Sequence, residues 1–124
     1  MIKGIGTDLV SVERIEKALE KHGERFSKRI LSADEYEALL VHDRPSNFLA
    51  KRFATKEAAA KALGTGFSNG VSWQDIRLDH YPSGKPKIVL TNKALALFNE
   101  MGCQQILLSL SDEEALVSAF VVIE

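Results

Sequence analysis

Cysteine is nearly absent from this chain: Cys103 is the only one in 124 residues. No internal disulfide can form, which suits a reducing compartment. No apolar run is long enough to span a bilayer, and no basic segment backed by an apolar stretch follows Met1. The expectation is therefore a cytoplasmic protein with no signal peptide and no membrane association. A dominant charge sign is missing too, since 16 Lys and Arg face 17 Asp and Glu. Nothing global argues for nucleic acid as a partner. Repeats, low-complexity tracts and linkers are likewise absent. With 45% apolar and 27% charged residues, what remains is an ordinary globular composition, long enough for one domain over residues 1–124.

The local pattern alternates helix and strand signals unevenly. Residues 2–10 are apolar and read as a strand. Ser11 caps a helix over residues 12–22, whose apolar positions Val12, Ile15, Ala18 and Leu19 recur at helical spacing, and Gly23 stops it. Residues 24–31 continue with Phe26 and Ile30 four apart. Ser32-Ala33-Asp34-Glu35 is a capping box opening a short helix to about His42. A long helix is expected from about Asn47 to Leu63, ended by Gly64. After the irregular Gly64–Gly70 stretch and a helical turn near Ser72–Asp75, strands at residues 76–81 and 87–90 flank the turn Pro82–Pro86. Thr91 caps a helix to Met101, and strands at 106–111 and 116–123 close the chain. Helices and hairpins segregate, which predicts an α+β fold with a mostly antiparallel sheet around a long central helix.

Two places invite chemistry. On the long helix Phe53, Glu57, Lys61 and Gly64 share one face, because residues three and four apart are neighbours there. The flanking Ala58, Ala59, Ala60 and Ala62 leave room for close packing or for a large ligand. A Glu–Lys pair at this spacing is also the commonest helix-stabilising pair, worth a few tenths of a kcal/mol, so spacing alone does not make a site. Asp8 is a charge in an apolar strand, either a solvated strand end or a paired group. Together Asp8 and Glu57 offer two hard oxygens, the donors Mg²⁺ takes when phosphate and water complete its shell.

The run Phe53-Ala54-Thr55-Lys56-Glu57-Ala58-Ala59-Ala60-Lys61 resembles the signature of the 4′-phosphopantetheinyl transferases, of the short bacterial holo-acyl-carrier-protein synthase type. Gly4-Ile5-Gly6-Thr7-Asp8 with Arg14 resembles the N-terminal signature of that family, and Gly64-Thr65-Gly66 and Ser83-Gly84-Lys85-Pro86 are similar to two of its loops. The resemblance implies Mg²⁺-dependent transfer of 4′-phosphopantetheine from coenzyme A to a serine of apo acyl-carrier protein. Adenosine 3′,5′-bisphosphate leaves, and the holo carrier serves fatty acid biosynthesis. It implies Asp8 and Glu57 as catalytic metal ligands and Lys61 as a catalytic phosphate anchor. Coenzyme A is expected along the alanine-rich face, over Gly64, Thr65 and Gly66, with Arg52 on a phosphate. Ser83, Gly84, Lys85 and Pro86, from a neighbouring subunit of a homotrimer, are expected to cover the adenine end. Many relatives carry a histidine after the penultimate strand; here Asp112 stands there, so the proton acceptor stays open between Glu57 and a water on the cation.

The first helical region interleaves cations with glutamates, mostly a solvated face. Arg14, Lys21 and Arg25, seven and four apart, form a candidate stripe for the acidic carrier protein, since complementary charge speeds encounter. Phe26, Leu31 and Phe48 are candidates for lining the path of the pantetheine arm, or simply core. His22, His42 and His80 receive no role. Two other readings stand beside the transferase: a non-catalytic module that holds coenzyme A or a carrier, and a small metal-dependent phosphohydrolase using Asp8 and Glu57.

Overall fold

The computed structural model describes all 124 residues, Met1–Glu124. Its elements are β1 (Gly4–Ser11), α1 (Val12–His22), α2 (Glu24–Ile30), α3 (Ala33–Leu40), α4 (Pro45–Leu63), a 3₁₀ turn (Trp73–Asp75), β2 (Ile76–His80), β3 (Pro86–Leu90), α5 (Asn92–Glu100), β4 (Ile106–Asp112) and β5 (Leu116–Ile123). Strands β1, β5 and β4 form one antiparallel sheet in that order, and β2 and β3 form a separate antiparallel hairpin. The expected α+β architecture is present, with α4 at its centre.

Local signals place several boundaries. The Ser11 hydroxyl accepts from Arg14 N–H at 3.2 Å and starts α1. Ser32 and Glu35 complete both halves of the capping box at 3.3 and 3.0 Å. Gly64 ends α4 with φ of 84°, a left-handed conformation that any side chain would strain. Other boundaries differ. β1 begins at Gly4, leaving Ile2 exposed, and α4 starts two residues early because Pro45 suits a first helical position. Thr91 offers no side-chain cap. Instead Asn92, at φ of 49°, turns its amide to donate to Asp75 at 3.1 Å.

α4 packs on the inner face of the sheet. Val10 of β1 and Val117, Ala119, Val121 and Ile123 of β5 point inward and are buried. The approach is unusually close. A Cβ built at Gly6 would overlap the Ala58 carbonyl oxygen and come within 2.8 Å of the Ala62 nitrogen; one at Gly4 would overlap the Ala62 carbonyl oxygen. The glycines of β1 and the alanines of α4 are therefore one feature: strand and helix backbones touch because neither side carries bulk. This corrects one expectation. Ala58, Ala59, Ala60 and Ala62 are buried core, so no coenzyme lies along the alanine-rich face. Leu31 and Phe48 are core as well, as is the free thiol of Cys103.

The outer face of the sheet is different. Ile5, Leu9, Leu107, Leu116 and Phe120 are all exposed there, and Ile5 sits in register with Val122 and Leu107. No helix covers them. No helix of the protein is long and apolar enough to cross a membrane.

Candidate active site

Asp8 leaves β1 on the side that faces α4, opposite Ala119. From α4, Lys61 reaches back to donate to the Thr7 carbonyl at 3.0 Å and lies 3.4 Å from Asp8 Oδ1. The Asp8 side chain is only 16% exposed, and its Oδ2 is buried without a hydrogen-bond partner. Burial pushes the Asp8 carboxyl above its usual range, against the pull of the Lys61 ammonium. Glu57 is also pushed up, first by burial and then by the charge of Asp8. Arg14 tempers both acids and stacks its guanidinium over the Phe53 ring, 5.5 Å from the centroid. The strand and helix that touch through Gly6 and Ala58 thus bring Asp8 and Glu57 together from half a chain apart.

Two partly buried carboxylates that destabilise one another, one with an orphaned oxygen, fit a hard divalent cation. No third His, Cys, Asp or Glu joins them in a cluster, so such an ion would draw most of its shell from water and substrate oxygens. That is the habit of Mg²⁺ rather than of a protein-caged metal. Beyond Lys61 the chain opens into Gly64-Thr65-Gly66. Gly66 N–H donates to the Ala60 carbonyl at 3.2 Å, Thr65 Oγ1 donates to Gly66, and a Cβ at Gly64 or Gly66 would meet nothing within 4 Å. Backbone is accessible there, within a turn of chain after Lys61.

Arg52 lies elsewhere. Five residues before Glu57, it is rotated about 140° around the helix axis. Its Nε is 3.8 Å from Glu35 Oε2 and without a hydrogen-bond partner, and its guanidinium lies 3.6 Å from the Phe48 ring centroid. It lines a cavity of about 360 Å³ together with Arg44, Lys51, His42, His80 and Asp112. Burial and then the Arg52 charge hold the His80 imidazole below its ordinary value, a sign of the cationic field inside. Pro86 pairs with His80 across the β2–β3 hairpin, and Gly84 N–H and the Lys85 carbonyl close the turn onto Tyr81 at 2.8 and 2.9 Å. His80, which pairs with Pro86 at the base of the Ser83–Pro86 turn, is the hairpin residue that lines this cavity; the turn residues themselves do not.

The basic stripe is interrupted. The chain turns at Gly23 between α1 and α2, so the helical spacing that linked Lys21 to Arg25 does not continue. Arg14, Phe26, Arg29 and Phe53 instead line one groove, and Arg25 joins His22, Phe26 and Arg29 in the next. Lys21 is exposed and lines neither.

Pattern reading missed a structural hub. Lys56, next to Glu57 but turned about 100° around α4 from it, is fully buried. Its ammonium donates to Glu35 Oε1 at 2.6 Å, to the Ile30 carbonyl at 2.8 Å and to the Trp73 carbonyl at 3.1 Å. Glu35 in turn accepts from Ser32 N–H and Leu78 N–H. One ammonium and one carboxylate thus tie α2, α3, α4, the 3₁₀ turn and β2 together. Arg44, Lys51 and His80 were missed because only the fold gathers them.

Comparison with known proteins identifies the family. Residues 4–119 match the model of the 4′-phosphopantetheinyl transferase superfamily. A holo-[acyl-carrier-protein] synthase of Vibrio cholerae is 45% identical over 124 residues, covering 100% of this chain and 98% of the relative. The crystal structure of a holo-[acyl-carrier-protein] synthase from Neisseria meningitidis superposes with a TM-score of 0.93 at 46% identity, covering 100% and 99% of the two chains. That from Helicobacter pylori, in complex with coenzyme A, superposes with a TM-score of 0.83 at 32% identity, covering 97% and 99%. The chain belongs to the 4′-phosphopantetheinyl transferase superfamily, as an enzyme of the holo-[acyl-carrier-protein] synthase type.

Proposed function

We propose that this chain, as one transferase domain over residues 1–124, moves 4′-phosphopantetheine from coenzyme A to a serine hydroxyl of an apo acyl-carrier protein and releases adenosine 3′,5′-bisphosphate. The observation that carries the reading is the meeting of Asp8, Glu57 and Lys61 across the β1–α4 contact, with an orphaned carboxylate oxygen in it. Asp8 and Glu57 are the residues that would hold Mg²⁺. When bound, that ion supplies charge neutralisation and Lewis acidity at the pyrophosphate. Lys61 is half exposed and can turn its ammonium from Asp8 to a phosphate oxygen, where it stabilises charge that develops as the phosphoanhydride breaks. The backbone of Gly64, Thr65 and Gly66 accommodates the chain of the coenzyme beside it. Bond making and breaking need little else from the protein, so positioning carries most of the rate.

Coenzyme A also bears a phosphate monoester, which needs cations of its own. Arg44, Lys51 and Arg52 line a cavity for it, with His80 at the end of β2, but on another side of α4 from Glu57. One protomer therefore holds the two halves of a coenzyme site facing apart. The bare apolar sheet face around Ile5, Leu9 and Phe120 supports the remedy, a homotrimer whose active sites form between subunits. Arg14 and Arg29 line one groove and Arg25 and Arg29 the adjoining one, and these cations suit an acidic carrier helix.

The test is to mix the protein with Mg²⁺, coenzyme A and an apo carrier protein and to weigh the carrier by mass spectrometry. The expected result is the added mass of phosphopantetheine, abolished in a folded Glu57→Ala variant. An unchanged carrier overturns the reading, and nucleotide turnover without any carrier points to a phosphohydrolase.

A further inference from the structure

The cavity of Arg44, Lys51 and Arg52 holds one carboxylate, and it is aimed at a cation. Asp112 is the last residue of β4, in register with Val117, and so emerges on the sheet face that carries α4. Its Oδ2 lies 3.4 Å from Lys51 Nζ, and both side chains keep substantial access to water, at 46% and 38% exposure. The other groups facing the pair are His42, His80, Arg44 and Arg52. Arg52 lies 3.8 Å from Glu35 without a hydrogen bond to it, so Lys51 is the one cation of the cavity that a lining carboxylate faces directly. A carboxylate placed here satisfies Lys51 when the cavity is empty and repels a dianion that enters it.

We propose that Asp112 is a specificity-determining residue that competes with the nucleotide's phosphate monoester for Lys51, and so weakens the hold on that phosphate. The proposal rests on the coenzyme reading above. An exposed Lys–Asp pair is worth little, so it exchanges readily for a doubly charged phosphate. What persists is the repulsion: a unit charge and a dianion about 6 Å apart in water cost roughly tenfold in affinity. Substrate and nucleotide product both carry this phosphate. Its weakened binding therefore favours release of the bisphosphate product after each turnover, at the expense of coenzyme affinity.

The test is calorimetric titration of the wild type, Asp112→Asn and the Lys51→Met/Asp112→Asn double variant. Two probes are used: adenosine 3′,5′-bisphosphate, and adenosine 5′-monophosphate, which lacks the second phosphate. Asp112→Asn should bind the bisphosphate about tenfold more tightly, leave the monophosphate within twofold, and lose most of its gain when Lys51 is also removed. Equal tightening for both probes, or no tightening for the bisphosphate, overturns the role of Asp112 while leaving the coenzyme reading intact. No binding of the bisphosphate by the wild type overturns that reading, and this inference with it.

Discussion

Gly6→Ala tests the contact on which the site depends. The added methyl would overlap the Ala58 carbonyl oxygen and stand 2.8 Å from the Ala62 nitrogen and 2.9 Å from the Ala58 carbonyl carbon. All three atoms are helix backbone, so no rotamer change relieves the clash; α4 must withdraw from β1 by about an ångström to restore ordinary contact. Overpacking of this kind costs about 1–3 kcal/mol, and the rigid neighbours put this case at the upper end. For a chain of this size that is a fall in Tm of roughly 10 °C. The functional loss should be larger than the stability loss suggests. Asp8 lies two residues after Gly6, and Glu57 lies one residue before Ala58, so withdrawal of the helix separates the two acids directly. A misplacement of about 1 Å costs on the order of a hundredfold in rate. Thermal unfolding reads the first effect, and carrier modification at a temperature where the variant is fully folded reads the second. A variant within 1 °C and twofold of the wild type on these two axes would refute the claim that backbone contact sets the site.

Lys56→Ala leaves the Glu35 carboxylate buried without its ammonium and should destabilise the fold by about 3–5 kcal/mol in urea titration; a loss under about 1 kcal/mol would show the hub to be dispensable. Asp8 and Glu57 are both raised in the fold, so their contribution is present below the normal carboxylate range and lost as pH rises through their folded values. Without metal, Asp8→Asn should therefore melt at a higher temperature than the wild type at pH 7 and 8 but not near pH 4, and added Mg²⁺ should stabilise only the wild type; identical melting curves across that range would remove the carboxylate pair as a metal site. Arg14→Glu should weaken carrier binding, measured by titration, far more than coenzyme binding, and equal losses would tie Arg14 to the acids it faces rather than to the carrier.

Much of the fold was legible in local chemistry. Ser11 and Gly23 bracket α1, Ser32 and Glu35 open α3, and Gly64 closes α4, because caps and stops act through atoms three or four residues apart. The β2–β3 hairpin and the β4–β5 pair announced themselves by alternation and turn residues. Asp8 and Glu57 were legible only through two separated signatures; spacing by itself left Glu57 and Lys61 as an ordinary helix pair. Tertiary structure decided the rest. It sent the alanine face inward against Gly4 and Gly6, where sequence permits a ligand face as readily as a core face. It buried Lys56 and left its neighbour Glu57 partly exposed, since one step along a helix turns a side chain by about 100°. It also put Arg52, Lys51 and Asp112 around one cavity on a different side of α4 from the acids. A sequence determines what each residue can do within a turn or two of chain. Which residues meet across the core depends on how helix and sheet backbones pack, and that is set by the whole molecule at once.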